Sequence, residues 1–152
     1  MMKESVLIGG EESGGISFQG HIPEGDGVLM GLLLLEIIAE SRTTLYELVE
    51  DLLKEVGPAF YERTDIRLKH PVSKDLMVNK LTQDPPAALG GQSLKEVSTR
   101  DGVKYIFADD SWLLIRPSGT EAVLRVYAEG RSQDMVKELL GYGEQFAAGI
   151  VK

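Results

Sequence analysis

Two short segments of this chain combine residue types that can hold an anionic, polyhydroxylated ligand. The first is Arg116-Pro117-Ser118-Gly119-Thr120-Glu121. Arg116 offers a planar fork of N–H donors that matches two phosphate oxygens at once. Ser118 and Thr120 add hydroxyls, and Gly119 permits a turn in which successive backbone amides point at one anion. Pro117 fixes part of that turn. Arg125 follows in a predicted strand and can aim its side chain at the same rim. Pro, Ser and Gly are also ordinary turn residues, so the segment alone reads equally well as a plain hairpin connection.

The second segment is Gly9-Gly10-Glu11-Glu12-Ser13-Gly14-Gly15. Its glycines let the backbone approach a ligand closely. Glu11 and Glu12 can accept hydrogen bonds from hydroxyls, and Ser13 can donate as well as accept. Carboxylates among glycines repel phosphate, so a sugar suits this loop better. The segment has neither the lysine of a Walker loop nor the spacing of a dinucleotide fingerprint. A flexible connection with solvated carboxylates fits the composition as well. Elsewhere, Glu24-Gly25-Asp26-Gly27 holds two carboxylates with no third nearby, which reads as a helix-capping turn rather than a metal loop. His21 reads as structural or solvated, and His70 before Pro71 carries no special signal.

The elements that must position these loops follow from periodicity. Val6-Leu7-Ile8 reads as a buried strand running into the glycine loop. Asp26 is a plausible N-cap for a helix over 27–40 that is apolar on nearly every face, and so is expected to be buried between layers. Thr44 and Glu47 fit a capping box, and Leu45 to Val56 then follow helical spacing until Gly57-Pro58. The domain boundary is placed there, giving 1–57 and 58–152. One strand and two helices are too few to close an α/β core of their own, so either a partner or a dimer contact covers the apolar helix or the chain is a fragment of something longer. After Pro58 the pattern predicts a strand over 59–69, a short helix over 73–81 and a loop over 87–93. A hairpin turn is expected at Arg100-Asp101-Gly102-Val103 and a second turn at Asp109-Asp110. Strands over 112–115 and 122–128 should flank the Arg116 loop, and a last helix should carry Val136, Leu139, Leu140, Gly143, Ala147 and Ile150 on one face. The sum is an antiparallel sheet of about four strands with two helices on one side, an α+β unit.

The whole-chain numbers bound the function. The 152 residues are 43% apolar and 26% charged, as in soluble globular proteins. A net charge of −8 disfavours nucleic-acid binding, which relies on a broad positive field. With no cysteine and two distant histidines, a zinc site is not expected. The apolar run Val28 to Leu35 is too short to span a bilayer, and a cytoplasmic protein is the plain reading.

Taken together, the two loops resemble those of the α-D-phosphohexomutases, which include phosphoglucomutase, phosphomannomutase and phosphoglucosamine mutase. Gly10-Glu11-Glu12-Ser13-Gly14 is similar to the sugar-binding loop of that family's third domain. Arg116 to Glu121 is similar to the phosphate-binding loop of its fourth, and Gly20-His21-Ile22, Asp26-Gly27 and Trp112 to Ile115 fit in the same order. The resemblance implies the end of an α/β third domain followed by an α+β, TATA-box-binding-protein-like fourth domain. It implies that Glu11 and Ser13 hold sugar hydroxyls, and that Arg116, Ser118, Gly119, Thr120 and, more weakly, Arg125 hold the non-reacting phosphate of a hexose phosphate. The family's phosphoserine loop and its Mg2+-binding loop match nothing in this chain. The resemblance therefore implies no catalytic or metal residue here, missing N-terminal domains of the same enzyme, and a fragment inactive alone. Some relatives carry histidine where Gly15 stands, which favours a phosphoglucomutase or phosphomannomutase type. The rival readings are a stand-alone phosphosugar-binding module without catalysis and a structural fragment that binds nothing.

Overall fold

The computed structural model describes residues 6–10, 14–22 and 24–150 of the chain. They fall into two compact units, divided between residues 52 and 53.

In the first unit, β1 (Ile8–Gly10) and β2 (Ile16–Phe18) form an antiparallel ribbon with Gly9 opposite Ser17. The sequence suggested a buried strand here, yet Ile8 is 62% exposed. A two-stranded ribbon covers neither of its own faces. Helix α1 (Gly27–Ser41) starts where the Asp26 carboxylate accepts from the amides of Val28 and Leu29 at 3.1 and 3.0 Å. Those bonds satisfy two of the four amides that a helix start leaves open. The helix ends at Arg42, in the left-handed region, whose N–H bonds to the Ile38 carbonyl. Burial of α1 between layers does not occur among the described residues: Met30 alone is buried, and Leu32 and Leu35 are exposed. A ribbon and two helices do not carry enough surface to cover a helix apolar all round. Helix α2 (Leu45–Val56) has the expected capping box, with the Thr44 N–H donating to Glu47 Oε2 at 2.9 Å and the Glu47 N–H to Thr44 Oγ1 at 3.2 Å.

In the second unit the order is β3 (Phe60–Arg67), α3 (Lys74–Gln83), β4 (Ala88–Leu89), β5 (Gln92–Ser98), β6 (Val103–Phe107), β7 (Trp112–Pro117), β8 (Val123–Gly130) and α4 (Gln133–Ile150). The strands form one antiparallel sheet in the order β3-β8-β7-β6-β5-β4. Six strands stand where about four were expected, and the segment read as a loop over 87–93 contains β4 and the start of β5. Gly90 and Gly91, at φ of 60° and 75°, make the two-residue turn between them.

Strict alternation in the central strands builds the core. Val103, Tyr105, Phe107, Leu113, Ile115, Leu124, Val126 and Ala128 are fully buried on one face. Met77 and Leu81 of α3 and Val136, Leu139 and Leu140 of α4 pack onto that face. Gly143 brings α4 close to β8: a Cβ there would lie 2.5 Å from Val126 Cγ1. The Tyr105 hydroxyl is buried and donates to the Leu81 carbonyl at 2.7 Å, which ties β6 to the end of α3. Burial raises its pKa well above the ordinary phenol value.

Candidate functional site

The Arg116–Glu121 loop joins the neighbouring strands β7 and β8. Arg116 near the end of β7 stands directly opposite Arg125 in β8. Like charges at directly opposed positions repel, so this pairing is unfavourable unless an anion lies against it. The connection beyond them is held tightly by its own backbone. The Ser118 N–H donates to the Val123 carbonyl at 2.8 Å, the Val123 N–H to the Glu121 carbonyl at 2.8 Å, and the Thr120 N–H to Ser118 Oγ at 3.4 Å.

These residues open on a cleft of about 520 Å³. Arg116, Pro117, Ser118, Gly119 and Arg125 form one side of it. Pro71, Val72 and Lys74, at the start of α3, form another, and Asp101 and Gly102 complete it. Among the described residues lining it, Lys74, Arg116 and Arg125 set three cations against the carboxylate of Asp101. The N-terminal end of α3 adds the positive pole of a helix dipole to the same wall. Arg125 Nε is buried and has no hydrogen-bond partner within the described chain. A buried donor left open in this way costs on the order of 1–3 kcal/mol until something accepts from it.

Two neighbours set the orientation of Arg116. Its Nη1 donates to Asp101 Oδ2, and its guanidinium lies over the Tyr127 ring at 5.7 Å. The Asp101 carboxylate raises the Arg116 pKa above the ordinary arginine value, with partial burial opposing. Gly102 makes this approach possible: at φ +79°, its missing Cβ would sit 2.5 Å from both Arg116 Cβ and the Ile115 carbonyl. Behind Arg125, Asp65 of β3 stands directly opposite it and is held by the Arg63 fork at 2.7 and 2.6 Å. That hydrogen-bonded fork lowers the Asp65 pKa, and the Arg125 charge adds to the effect.

The structure thus brings together Arg116, Ser118, Gly119 and Arg125. Thr120 is exposed at the loop tip and is not among the residues lining the cleft. Glu11 and Ser13 lie outside the described residues, between Gly10 at the end of β1 and Gly14 at φ +91°. His21 stacks on Phe18 with ring centroids 5.5 Å apart and approaches Asp26 at 3.4 Å, a packing role. Neither Lys74 nor Asp101, the latter expected only as a turn residue, stood out in the sequence as lining this cleft. A signal for Asp101 existed, since in an antiparallel meander alternate turns share one end of the sheet, and the β5–β6 turn therefore meets the β7–β8 loop.

Residues 1–56 match the family description "Phosphoglucomutase/phosphomannomutase, alpha/beta/alpha domain III". Residues 67–141 match "Phosphoglucomutase/phosphomannomutase, C-terminal domain". The chain belongs to the phosphoglucomutase/phosphomannomutase family. Within that family it is 32% identical over 94% of its length to a phosphoglucomutase/phosphomannomutase of Thermococcus kodakarensis, of which it covers 29%. It is 35% identical over 90% of its length to a phosphoglucosamine mutase of Limosilactobacillus fermentum, covering 26% of that protein. A crystal structure of a phosphoglucomutase/phosphomannomutase family protein from Burkholderia thailandensis superposes over 97% of the chain, with a TM-score of 0.67 at 23% identity, and shares its fold. The chain thus spans under a third of the length of these family members and corresponds to their C-terminal part.

Proposed function

We propose that this chain is the phosphosugar-gripping portion of a phosphohexomutase, an intramolecular phosphotransferase that interconverts hexose 1-phosphate and hexose 6-phosphate through a bisphosphorylated intermediate. The observation that carries this reading is the cleft in which Arg116 and Arg125 stand side by side with a buried N–H of Arg125 unpartnered. A phosphate dianion there offers acceptors to both guanidinium groups, to the Ser118 hydroxyl and to loop amides. Thr120 reaches the ligand from the loop tip. Glu11 and Ser13 hold sugar hydroxyls from the first domain, with the boundary at Gly57-Pro58.

Contacts of this kind act away from the reacting atoms. They position the sugar for in-line transfer and suit either orientation of the hexose, since none of them depends on which carbon faces the phosphoryl donor. The donor and a magnesium site belong to other domains of the same enzyme. Among the described residues no group of three or more His, Asp or Glu side chains stands together as a metal site. The exposed apolar surface of α1 is covered by the remainder of its domain or by a second copy. No described helix is long and apolar enough to cross a membrane, and the protein works in the cytoplasm. Glycine at position 15 favours glucose or mannose phosphates over glucosamine phosphate.

An amide NMR titration with glucose 1-phosphate and glucose 6-phosphate, with inorganic phosphate as control, tests the reading. Shifts centred on residues 116–121 and on Arg125 are expected. In the intact enzyme, Arg116→Ala should lower kcat/KM by on the order of ten- to a hundred-fold. An unchanged kcat/KM would sink the proposal.

A further inference from the structure

Resting on that reading of the cleft, we propose that Asp101 is a positioning residue, a resident carboxylate that occupies the Arg116 guanidinium when the phosphate is away and speeds the phosphate's release. Three observations lead to it. Asp101 sits in the β5–β6 turn, outside the loop that carries Arg116, yet lines the same cleft and accepts from Arg116 Nη1. It approaches beside a glycine, Gly102, where a Cβ would collide with the Ile115 carbonyl and with Arg116 Cβ. Finally, the Asp101 side chain is 64% exposed whereas that of Arg116 is 34% exposed, so the carboxylate can swing into solvent while the guanidinium stays in place.

The chemistry requires such a device. Three cations and an open buried donor would hold a phosphate tightly, and a tightly held phosphate leaves slowly. The proposed reaction needs the opposite, because the bisphosphorylated sugar must let go of this cleft and turn over between transfers. A carboxylate beside the guanidinium lowers affinity in two ways. It competes for the same N–H, and its charge repels the incoming dianion. When the phosphate departs, Asp101 takes its place, so Arg116 is never left unpaired.

The test is isothermal titration of the full 152-residue chain with inorganic phosphate at low ionic strength. Asp101→Asn keeps the turn chemistry, since asparagine suits turns as well as aspartate does. It is expected to bind phosphate on the order of five-fold more tightly, and with a slower off-rate in NMR line shapes. Asp101→Glu, which keeps the charge, should bind as the unaltered chain does. A merely structural role for Asp101 predicts weaker binding by both variants. Weakened or unchanged binding by Asp101→Asn overturns the inference, as does equal tightening by Asp101→Glu. Arg116→Ala separates this failure from that of the site itself. If Arg116→Ala binds phosphate like the unaltered chain, or the unaltered chain binds none at millimolar phosphate, the reading of the cleft falls and the role of Asp101 with it.

Discussion

Replacing Gly102 by alanine tests whether the β5–β6 turn is pressed against β7. At φ +79° an L-residue is disfavoured, at a cost of about 1 kcal/mol. The added methyl would also lie 2.5 Å from the Ile115 carbonyl and from Arg116 Cβ, and 3.0 Å from Arg116 Cα. These are backbone and near-backbone atoms of a central strand and cannot rotate away, so overpacking adds about 1–3 kcal/mol. Gly91 is the control, because it sits at φ +75° with nothing within 4 Å of its missing Cβ. Gly91→Ala should show the backbone penalty alone, about 1 kcal/mol. The assay is urea unfolding followed by Trp112, the sole tryptophan, which lies in β7 of the same unit. Gly102→Ala should lower the midpoint by about 2–4 kcal/mol divided by an unchanged slope. It should also weaken phosphate binding, because it displaces Arg116, whereas Gly91→Ala should not. Equal losses for the two variants would refute the close approach.

Other outcomes follow from the same geometry. Gly143→Ala should destabilise by about 1–2 kcal/mol despite its better helix propensity, because its methyl meets Val126, whereas Gly141→Ala, facing open space, should stabilise by about 0.5–1 kcal/mol in the same urea assay. Arg125→Met should weaken phosphate binding in calorimetry, because it removes one of the two opposed guanidinium groups together with the open buried donor of the cleft. Glu47 is held at a pKa of about 2, against 4.5 for a free side chain, mainly by the Thr43 hydroxyl and then by the Thr44 amide and hydroxyl. Its folded pKa is the depressed one, so its support of α2 is complete above about pH 4.5 and fades as pH falls towards 2. Amide exchange at the start of α2 should speed up over that window, and Glu47→Gln should remove the dependence.

The sequence was most legible where local chemistry acts alone. The Asp26 cap, the Thr44–Glu47 box and the apolar face of α4 are set by side chains within a few positions of one another, and each stands where it was expected. The same holds for the Arg116 loop, since a run of strand residues on each side of a Pro-Ser-Gly turn leaves few alternatives. Legibility failed where the outcome depends on what lies alongside. Ile8 and the leucines of α1 have the hydrophobicity of buried residues, but the described part of their unit offers too little surface to bury them. β4 was lost because two residues carry no period, and its turn rests on left-handed glycines rather than on a hydrophobic pattern. Asp101 was read as a turn former because its partner lies fifteen positions away. Nothing local in Arg-Asp-Gly marks it as a partner of Arg116.

The paired arginines on β7 and β8 also bear on how the protein's stability should be measured. An anion that relieves their repulsion binds the folded chain and not the unfolded one, so by mass action it raises the apparent free energy of unfolding as its concentration rises. At a hundred times its dissociation constant that amounts to about 2.7 kcal/mol. On the proposed reading of the cleft, phosphate and sulfate buffers act as ligands of this protein rather than as neutral media. Melting temperatures recorded in them would then describe a complex, and comparisons among cleft variants call for a chloride or zwitterionic buffer.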